Sequence, residues 1–295
     1  MNKPLVLGFP EYDEMARRLA DAAGMDYACI DVHRFPDGES KLTLPPELPA
    51  SVVLCRSLDR PNEKLVELVL AAEGARKLGA ECLTLVAPYL GYMRQDKAFH
   101  PGEVVSQTAI GRCLAGYVDG IVTVDAHLHR ISRLDQAIPV DPAINLHATE
   151  PMAGFLREHV ENPFLIGPDG ESEQWVAEIA RQDGWDYRVA TKERFGDRDV
   201  RIHLPEADYA GRHLVLVDDV ASTGRTLLGA AEQLRARQAA SISVLVTHAL
   251  FVGDAMETLQ AAGIDPIWSC DSVPHSTNAV HLDTLLARHL TGVTA

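Results

Sequence analysis

The sequence predicts an α/β protein made of two domains, each a series of alternating strands and helices. Short runs of apolar, often β-branched residues recur along the 295-residue chain, and most of them precede a stretch with apolar residues at helical spacing. The series pauses at residues 138–147, IPVDPAINLH, whose prolines and aspartates indicate a loop, and then starts again. We therefore expect an N-terminal domain over residues 1–146 and a C-terminal domain over residues 147–295, related by an old duplication.

In the first half, the apolar runs predict strands and the periodic segments between them predict helices. The predicted strands cover residues 3–8, 27–32, 51–57, 81–88 and 120–125. The predicted helices cover residues 11–23, 61–78 and 104–115, the second of which starts at Pro61.

The second half repeats the pattern. Its predicted helices cover residues 150–159, 175–182, 226–237 and 282–289. Its predicted strands cover residues 163–167, 187–189, 214–217, 242–247 and 266–269. Several of these strands are followed by polar or charged residues, so the strand ends are where we look for a site.

Composition excludes some classes of protein. The hydrophobic fraction of 46% can supply a core, and the mean hydropathy is −0.04, with no apolar run that approaches a bilayer's width. The formal net charge of −15 argues against a nucleic-acid surface but not against a local phosphate site. The N-terminal residues turn acidic too soon for a signal peptide, so we expect a cytoplasmic protein. Five cysteines without a CxxC pair predict buried free thiols rather than zinc or disulfides.

The rest of the chain is organised around Leu214–Thr226, LVLVDDVASTGRT. Four apolar residues predict a short buried strand that ends at Asp218 and Asp219, and a loop of small residues then leads into a helix. Backbone N–H groups and the dipole at such a helix start bind a phosphate, and the aspartates would face sugar hydroxyls or a metal ion. The alternative is an ordinary capped turn. The segment resembles the phosphoribosyl-diphosphate (PRPP) loop of type I phosphoribosyltransferases and PRPP synthetases.

Two segments of the first half suit a nucleotide. The turn Arg34–Ser40, RFPDGES, carries a lone aromatic that is either a core plug or a platform for a purine, and it resembles a Phe-x-Asp-Gly-Glu segment of PRPP synthetases. The segment Tyr89–Lys97, YLGYMRQDK, would be a solvated loop on charge alone. It resembles the PYxGYxRQD motif of the same family, which recognises ATP.

Two strand ends carry candidate metal ligands. The cluster Asp125-Ala126-His127-Leu128-His129 favours a metal over a lone structural histidine. It resembles the family's Asp-Leu-His, with alanine in place of leucine, while His129 lies outside the matched positions. Asp169 resembles the magnesium-associated aspartate of a Pro-Asp-x-Gly-Gly segment, although Glu171 and Ser172 replace the small residues expected there.

The charged segment 191–199, TKERFGDRD, is open to two interpretations. Mixed charges of this kind are typical of a solvated hairpin. PRPP synthetases have a mobile catalytic loop at this place with a Lys-x-Arg pair, which Lys192 and Arg194 resemble. Cations that arrive as a site closes and water leaves suit the transfer of a phosphoryl group.

Taken along the whole chain, the sequence resembles the PRPP synthetases (ribose-phosphate diphosphokinases), nearer their archaeal-type class. The resemblance implies two doubly wound α/β domains, each like a type I phosphoribosyltransferase, with ATP between them. It implies an enzyme that transfers the diphosphoryl group of ATP to the 1-hydroxyl of ribose 5-phosphate, giving PRPP and AMP, with Mg²⁺ as cofactor. It also implies a homo-oligomer, at least a dimer, because the Phe35 segment reaches the ATP site of a neighbouring subunit.

The resemblance assigns four groups of residues. The catalytic residues would be Lys192 and Arg194, and the metal ligands His127 and Asp169. The ATP-binding residues would be Phe35, Asp37, Glu39, Arg94, Gln95 and Asp96. The ribose 5-phosphate-binding residues would be Asp218, Asp219, Ser222, Thr223, Gly224, Arg225 and Thr226.

Two other functions remain open from the sequence. A phosphoribosyltransferase that consumes PRPP shares the phosphate loop but does not need the first half of this chain. A non-catalytic regulatory paralogue would keep the fold, but it should have lost the Lys-x-Arg pair or the metal histidine, and both are present. Neither a membrane nor a nucleic acid is expected as a partner.

Overall fold

The computed structural model describes residues 3–128, 130–194 and 200–290. Within them the chain forms two compact units. The first unit runs as far as His147 and takes up the chain again at Leu282, and the second runs from Ala148 to His281. None of the helices in these described ranges is long and apolar enough to cross a membrane.

The first unit is built on a six-stranded parallel sheet with one antiparallel hairpin. In chain order its strands are β1 (Leu5–Gly8), β2 (Asp26–Cys29), β3 (Asp31–Arg34), β4 (Ser40–Thr43), β5 (Ser51–Cys55), β6 (Cys82–Ala87), β7 (Gly120–Val124) and β8 (Ala143–Leu146). Its helices are α1 (Asp13–Ala23), α2 (Pro61–Lys77) and α3 (Ser106–Ala115), with 3₁₀ turns at Pro10–Tyr12 and Leu134–Gln136. The strand order in the sheet is β2-β1-β5-β6-β7-β8, and β3 pairs with β4.

The second unit repeats this plan. Its strands are β9 (Phe164–Gly167), β10 (Tyr187–Val189), β11 (Thr191–Arg194), β12 (Val200–His203), β13 (His213–Ala221), β14 (Ser241–Ala249), β15 (Ile267–Cys270) and β16 (Asn278–Val280). Its helices are α4 (Thr149–His159), α5 (Glu173–Asp183), α6 (Arg225–Ala236) and α7 (Ala255–Ala261), with a 3₁₀ turn at Gly170–Ser172. Beyond it, α8 (Asp283–Ala287) packs against α1 of the first unit.

The two sheets have the same topology. The second sheet has the order β10-β9-β13-β14-β15-β16, and each unit inserts an antiparallel hairpin after the second strand of its sheet, β3–β4 in one and β11–β12 in the other. The strand order reverses between β1 and β5, and again between β9 and β13, so both units are doubly wound and the predicted fold class is confirmed. In such sheets ligands bind beyond the carboxyl ends of the strands at the point of reversal.

The central strands form the two cores. Every residue of β7 is buried, and so is every residue of β5 and β14 except the first. Strands of a parallel sheet that are covered on both faces consist of continuous apolar residues rather than an alternating pattern. This is why short apolar runs predicted most of these strands.

Three sequence predictions about elements were wrong. Residues 138–147 are not a loop throughout, because β8 lies within them and pairs with β7. The single strand predicted over 27–32 divides, since β2 joins the sheet and β3 turns away to pair with β4. The strand predicted to end before Asp218 continues to Ala221, because pairing with β14 extends beyond the apolar run. In each case a distant partner strand decided where the element begins or ends.

A buried ion pair lies at the base of hairpin β3–β4. Arg56, directly after β5, is fully buried, and its guanidinium donates to the carboxylate of Glu67 on α2, which is 1% exposed. Glu67 also accepts from Arg34 Nε at 3.0 Å and from Ser40 Oγ at 2.9 Å. Arg34 ends β3 and Ser40 begins β4, so one carboxylate fixes both ends of the turn between them.

The charge of Glu67 is stabilised by these contacts. Burial acts to raise the pKa of Glu67, but the hydrogen bonds from Arg34, Arg56 and Ser40 outweigh it and hold the pKa below its ordinary value. Arg56 has further partners, since Nε donates to Glu11 at 2.7 Å and the guanidinium lies over the ring of Phe9.

We expect Glu67→Gln to destabilise the first unit by about 3–5 kcal/mol, because it removes the buried counter-charge of the Arg56 guanidinium and leaves it with the more exposed carboxylate of Glu11. The substitution keeps the size of the side chain, so no cavity adds to the effect. Urea unfolding of both variants measures the loss. Glu63→Gln is the control, since Glu63 is 78% exposed and 3.7 Å from Arg34, and it should change stability by less than about 1 kcal/mol.

The same substitution should change the pH dependence of stability. A carboxyl with a lowered folded-state pKa contributes stability above its unfolded pKa, and this contribution is lost as the pH falls through the folded value. Wild type should therefore lose stability more steeply than Glu67→Gln below the ordinary glutamate pKa of 4.5. Parallel acid profiles would contradict the assignment.

Candidate functional site

The phosphate loop lies between β13 and α6. After Ala221 the chain passes through Ser222, Thr223 and Gly224, and α6 begins at Arg225. Gly224 has φ +69°, a conformation that L side chains resist, and a Cβ there would lie 3.2 Å from Leu259 Cδ1. The first N–H groups of α6 have no partner within the helix, so they are available to an anion.

Residues that follow β14 hold this loop in place. The N–H groups of Leu250 and Phe251 both donate to Ala221 O at 3.0 Å, and Val252 N donates to Ser222 O at 3.0 Å. The ring of Phe251 packs against His275 with centroids 5.1 Å apart. His275 belongs to the segment Asp271–His275, which follows β15.

Three aspartates lie together, Asp169 just after β9 and Asp218 and Asp219 in the last part of β13. Asp219 is buried, while Asp169 and Asp218 are half-buried. Burial, and then the charges of Asp219 and Asp169, raise the pKa of Asp218 well above its ordinary value. Carboxylates that repel one another in this way fit a bound divalent cation, because the cation relieves the repulsion that they have alone.

Lys192 joins this cluster to the phosphate loop. Its ammonium is 3.9 Å from Asp169 Oδ2 and donates to Thr226 Oγ1 at 3.3 Å. Lys192 is part of β11, an arm of the antiparallel hairpin, so the loop expected at 191–199 begins as a strand. Arg194 pairs through its backbone with Val200, its side chain is outside the description, and residues 195–199 lie outside the described residues.

In the first unit, the RQD segment follows β6 with its three side chains in different surroundings. Arg94 is exposed and Gln95 is half-buried, but the carboxylate of Asp96 is only 2% exposed. Arg130, which follows β7, donates from Nη1 to Asp96 Oδ1 at 2.6 Å. The structure thus connects the segments that follow two neighbouring strands, and Arg130 was not among the predicted site residues.

The segment around His127 begins with a strained residue. Asp125 has φ +42° and is buried, and its carboxylate lies 2.9 Å from His147 Nδ1. Ala126 N donates to Asn145 Oδ1 at 2.8 Å. Left-handed backbone at a non-glycine residue persists only where its surroundings enforce it, often at a functional site. His127 itself is half-buried, and His129 lies outside the described residues.

The tip of hairpin β3–β4 presents Phe35, Asp37 and Glu39 to solvent. Phe35 is 41% exposed and contacts the edge of His33, with ring centroids 4.7 Å apart. Two hydrogen bonds close the turn: Phe35 N donates to Glu39 O at 2.8 Å, and Glu39 N donates to Asp37 Oδ1 at 3.2 Å. The phenylalanine is therefore not a core plug, and its exposed ring is free to stack on a ligand or a partner.

The predicted residues thus form separate groups. In the second unit the structure brings Asp169, Lys192, Asp218 and the phosphate loop together. In the first unit it links the RQD segment with the segment that follows β7, while Phe35 stands at the end of a hairpin. Arg130 carried no recognisable signal, because its partner Asp96 is 34 residues away in the chain.

Comparison with protein families accounts for both units. Residues 5–116 match the N-terminal domain of ribose phosphate pyrophosphokinase, and residues 141–283 match the phosphoribosyl transferase domain. The crystal structure of phosphoribosylpyrophosphate synthetase from Mycobacterium smegmatis aligns with 99% of both chains at a TM-score of 0.83. At 21% identity this likeness shows a shared fold.

Archaeal proteins are more similar in sequence. A ribose-phosphate pyrophosphokinase of Methanopyrus kandleri is 36% identical over 274 residues, which cover 92% of this chain and 93% of the relative. One of Methanosarcina acetivorans is 32% identical over 289 residues, which cover 97% of this chain and 98% of the relative. The similarity extends over both units and takes in the phosphate loop and the RQD segment, and the chain therefore belongs to the ribose-phosphate pyrophosphokinase family.

Proposed function

We propose that this protein transfers the diphosphoryl group of ATP to the 1-hydroxyl of ribose 5-phosphate, giving PRPP and AMP. The hydroxyl oxygen attacks the β-phosphorus, and the bond from that phosphorus to the oxygen of the α-phosphate breaks as AMP leaves. The observation that carries the proposal is the grouping of a phosphate loop, three aspartates and Lys192 at the strand ends of the second unit. Relatives named for this activity match the chain over more than nine-tenths of its length.

Ribose 5-phosphate fits the second unit. In this proposal Ser222, Thr223, Gly224, Arg225 and Thr226 bind the 5-phosphate through backbone N–H groups and hydroxyls at the start of α6. Asp218 and Asp219 accept hydrogen bonds from the 2- and 3-hydroxyls of the ribose. The raised pKa of Asp218 supports a ligand at this point, since a group that is costly to leave charged gains from hydroxyl donors or a nearby cation.

Mg²⁺ is the proposed cofactor, with His127 as the proposed ligand in the first unit and Asp169 as the proposed ligand in the second. Bound there, the ion would neutralise charge on the phosphate oxygens of the nucleotide. The acidic surroundings of Asp169 support this assignment, because they favour a cation over an anion. The chain's own contribution is to orient the ligands: Asp125, immediately after β7, is fixed by His147 and so sets the direction of the segment that carries His127.

Lys192 and Arg194 are the proposed catalytic residues. Charge spreads over the diphosphoryl oxygens in the transition state, and a fixed cation stabilises it most where water is excluded. The position of the Lys192 ammonium between Asp169 and Thr226 supports this role, since it lies between the proposed metal ligand and the phosphate loop.

ATP recognition is proposed for the first unit. Arg94, Gln95 and Asp96 follow β6, and Phe35, Asp37 and Glu39 at the hairpin tip would serve the ATP site of a second copy of the chain. The exposure of the Phe35 ring supports a homo-oligomer of at least two subunits, because an aromatic ring at a hairpin tip gains from being covered.

One assay tests the reaction itself. AMP release from ATP should require ribose 5-phosphate, and PRPP should appear in equal amount. A phosphoribosyltransferase would instead consume PRPP and release diphosphate, and a regulatory paralogue would release no AMP under either condition. The matching of both units to the family supports the first outcome over the other two.

The phosphate loop is tested by Gly224→Val, which should raise the KM for ribose 5-phosphate strongly. A β-branched residue resists φ +69° and would press on Leu259, so the loop must move. Gly211→Val is the matched control, because Gly211 has the same φ of +69° with nothing within 4 Å. Both variants should lose about 1–2 kcal/mol of stability, but only the first should change this KM. An unchanged KM in Gly224→Val would remove the loop from the site.

The shared ATP site is tested by complementation. Phe35→Ala should weaken the binding of ATP and leave the binding of ribose 5-phosphate unchanged. Arg94→Ala should also weaken the binding of ATP. If each site takes Phe35 from one subunit and Arg94 from another, a mixture of the two variants contains some intact sites and regains activity. Steady-state turnover of the mixture, against each variant alone, measures the gain. No gain after complete subunit exchange would contradict a shared site.

The hairpin cation is tested by Lys192→Ala. Because a cation at the migrating group acts mainly in the transition state, its loss should lower kcat by at least about two orders of magnitude while both KM values change little. Calorimetric binding of Mg-ATP should barely change. Arg181→Gln removes an exposed cation from α5 of the same unit and should leave kcat intact. A kcat of Lys192→Ala within a few-fold of wild type would show that the hairpin is only a solvated surface feature.

A further inference from the structure

The ion pair between Asp96 and Arg130 divides its two members between the interior and the surface. The carboxylate of Asp96 is 2% exposed, whereas the side chain of Arg130 is 45% exposed. A carboxylate so buried is poorly placed to meet a nucleotide that arrives from solvent. The guanidinium that it holds is much better placed, because half of its side chain already faces outward.

The geometry of the pair leaves donors of Arg130 for a ligand. A guanidinium has five N–H donors in a rigid plane, and the bond to Asp96 uses Nη1 at 2.6 Å. The guanidinium of Arg130 also contacts the ring of Phe99, whose centroid is 5.9 Å from Arg130 Cζ. The same ring contacts Lys97, with Nζ 4.6 Å from the centroid. An arginine held in this way by a carboxylate is preorganised to bind phosphate oxygens.

The position of Arg130 in the fold indicates which ligand it meets. Asp96 follows β6 and Arg130 follows β7, and these strands are parallel neighbours in the first sheet. The carboxyl ends of adjacent parallel strands meet at one edge, where ligands bind in doubly wound folds. Arg130 therefore connects the RQD segment to the segment after β7, which also carries His127, on the side of the unit where the nucleotide is proposed to bind.

We propose that Arg130 binds the triphosphate of ATP directly, and that Asp96 is a positioning residue that orients Arg130 and does not itself contact the nucleotide. The inference rests on the proposed function, because its ligand is the ATP of that reaction. It changes the role of one motif residue and adds a cation that lies outside the motif. In a chain with a formal net charge of −15, each additional cation at a polyphosphate site has a large local effect.

The test is Arg130→Gln, with Mg-ATP binding measured by calorimetry and both KM values measured by turnover. The dissociation constant for Mg-ATP should rise at least about tenfold, which corresponds to about 1.4 kcal/mol. The KM for ribose 5-phosphate should not change. Arg130→Lys keeps the charge but loses the fork, so it should recover part of the affinity. Arg133→Gln is the matched control: Arg133 is also paired with an aspartate in the same loop, Asp135, and its loss should leave ATP binding as in wild type.

A double-mutant cycle separates positioning from contact. If Asp96 acts only through Arg130, Asp96→Asn should weaken the binding of Mg-ATP no more than Arg130→Gln does. The double variant should then bind Mg-ATP as tightly as Arg130→Gln alone. Additive losses would show that Asp96 contacts the nucleotide itself and would overturn the proposal. Unchanged Mg-ATP binding in Arg130→Gln would also overturn the proposal. The same holds if this variant binds both substrates equally more weakly and has a lower unfolding temperature.

The calorimetric result is independent of the chemistry. If wild type binds Mg-ATP but releases no AMP when ribose 5-phosphate is added, the proposed function fails, while the effect of Arg130→Gln on binding still decides the role of Arg130. If wild type turns over normally and Arg130→Gln binds Mg-ATP equally well, the role of Arg130 fails and the proposed function stands.

Discussion

The carboxylates of Asp169, Asp218 and Asp219 repel one another, and the surrounding structure of the second unit has to offset this repulsion. The carboxylates come from the segment just after β9 and from the last part of β13, its partner strand, and burial together with the two neighbouring charges raises the pKa of Asp218. Such a cluster is stable only with cations or hydroxyl donors close by. Lys192 supplies one cation at 3.9 Å from Asp169. The hairpin that carries it is therefore held at the phosphate loop by the same charges that are proposed to receive the sugar and the metal.

The first unit shows what the same topology does without that cluster. Gly8 of β1 pairs with Cys55, and Arg56 follows at once. In the second unit Ile166 pairs with Leu216, and Asp218 lies two residues beyond Leu216, just as Arg56 lies two residues beyond Leu54, the partner of Leu7. Where one unit places an acid, Asp218, the other buries an arginine, Arg56, beside Glu11 and Glu67. In the first unit, the protein's own side chains therefore occupy the point where the strand order reverses. The resulting ion pairs fix the hairpin β3–β4.

The sequence predicted what depends on local pattern and missed what depends on distant partners. Strands such as β7 and β14 are buried on both faces, so their apolar runs were sufficient evidence. The strand β8 has a half-buried, partly polar sequence at the sheet edge, and only its pairing with β7 makes it a strand. The two hairpins likewise need their antiparallel partners. Asp169 is a site candidate because it follows β9, and Asp218 and Asp219 are candidates because they follow an apolar run, although both lie inside β13.

Burial decides which part a motif residue plays. Arg94 and Asp96 belong to one motif, yet the first is exposed and the second is almost fully covered by its surroundings. The sequence gives no sign of this difference, because the covering partner Arg130 is 34 residues away. The chain has 42 acidic and 27 basic residues, so cations near a polyanionic ligand are scarce and must be held in place. Glu67 and Asp96 hold arginines through buried carboxylates, and Asp169 lies beside Lys192. In the proposed function, the carboxylates of Asp96 and Asp169 position the cations that bind phosphate.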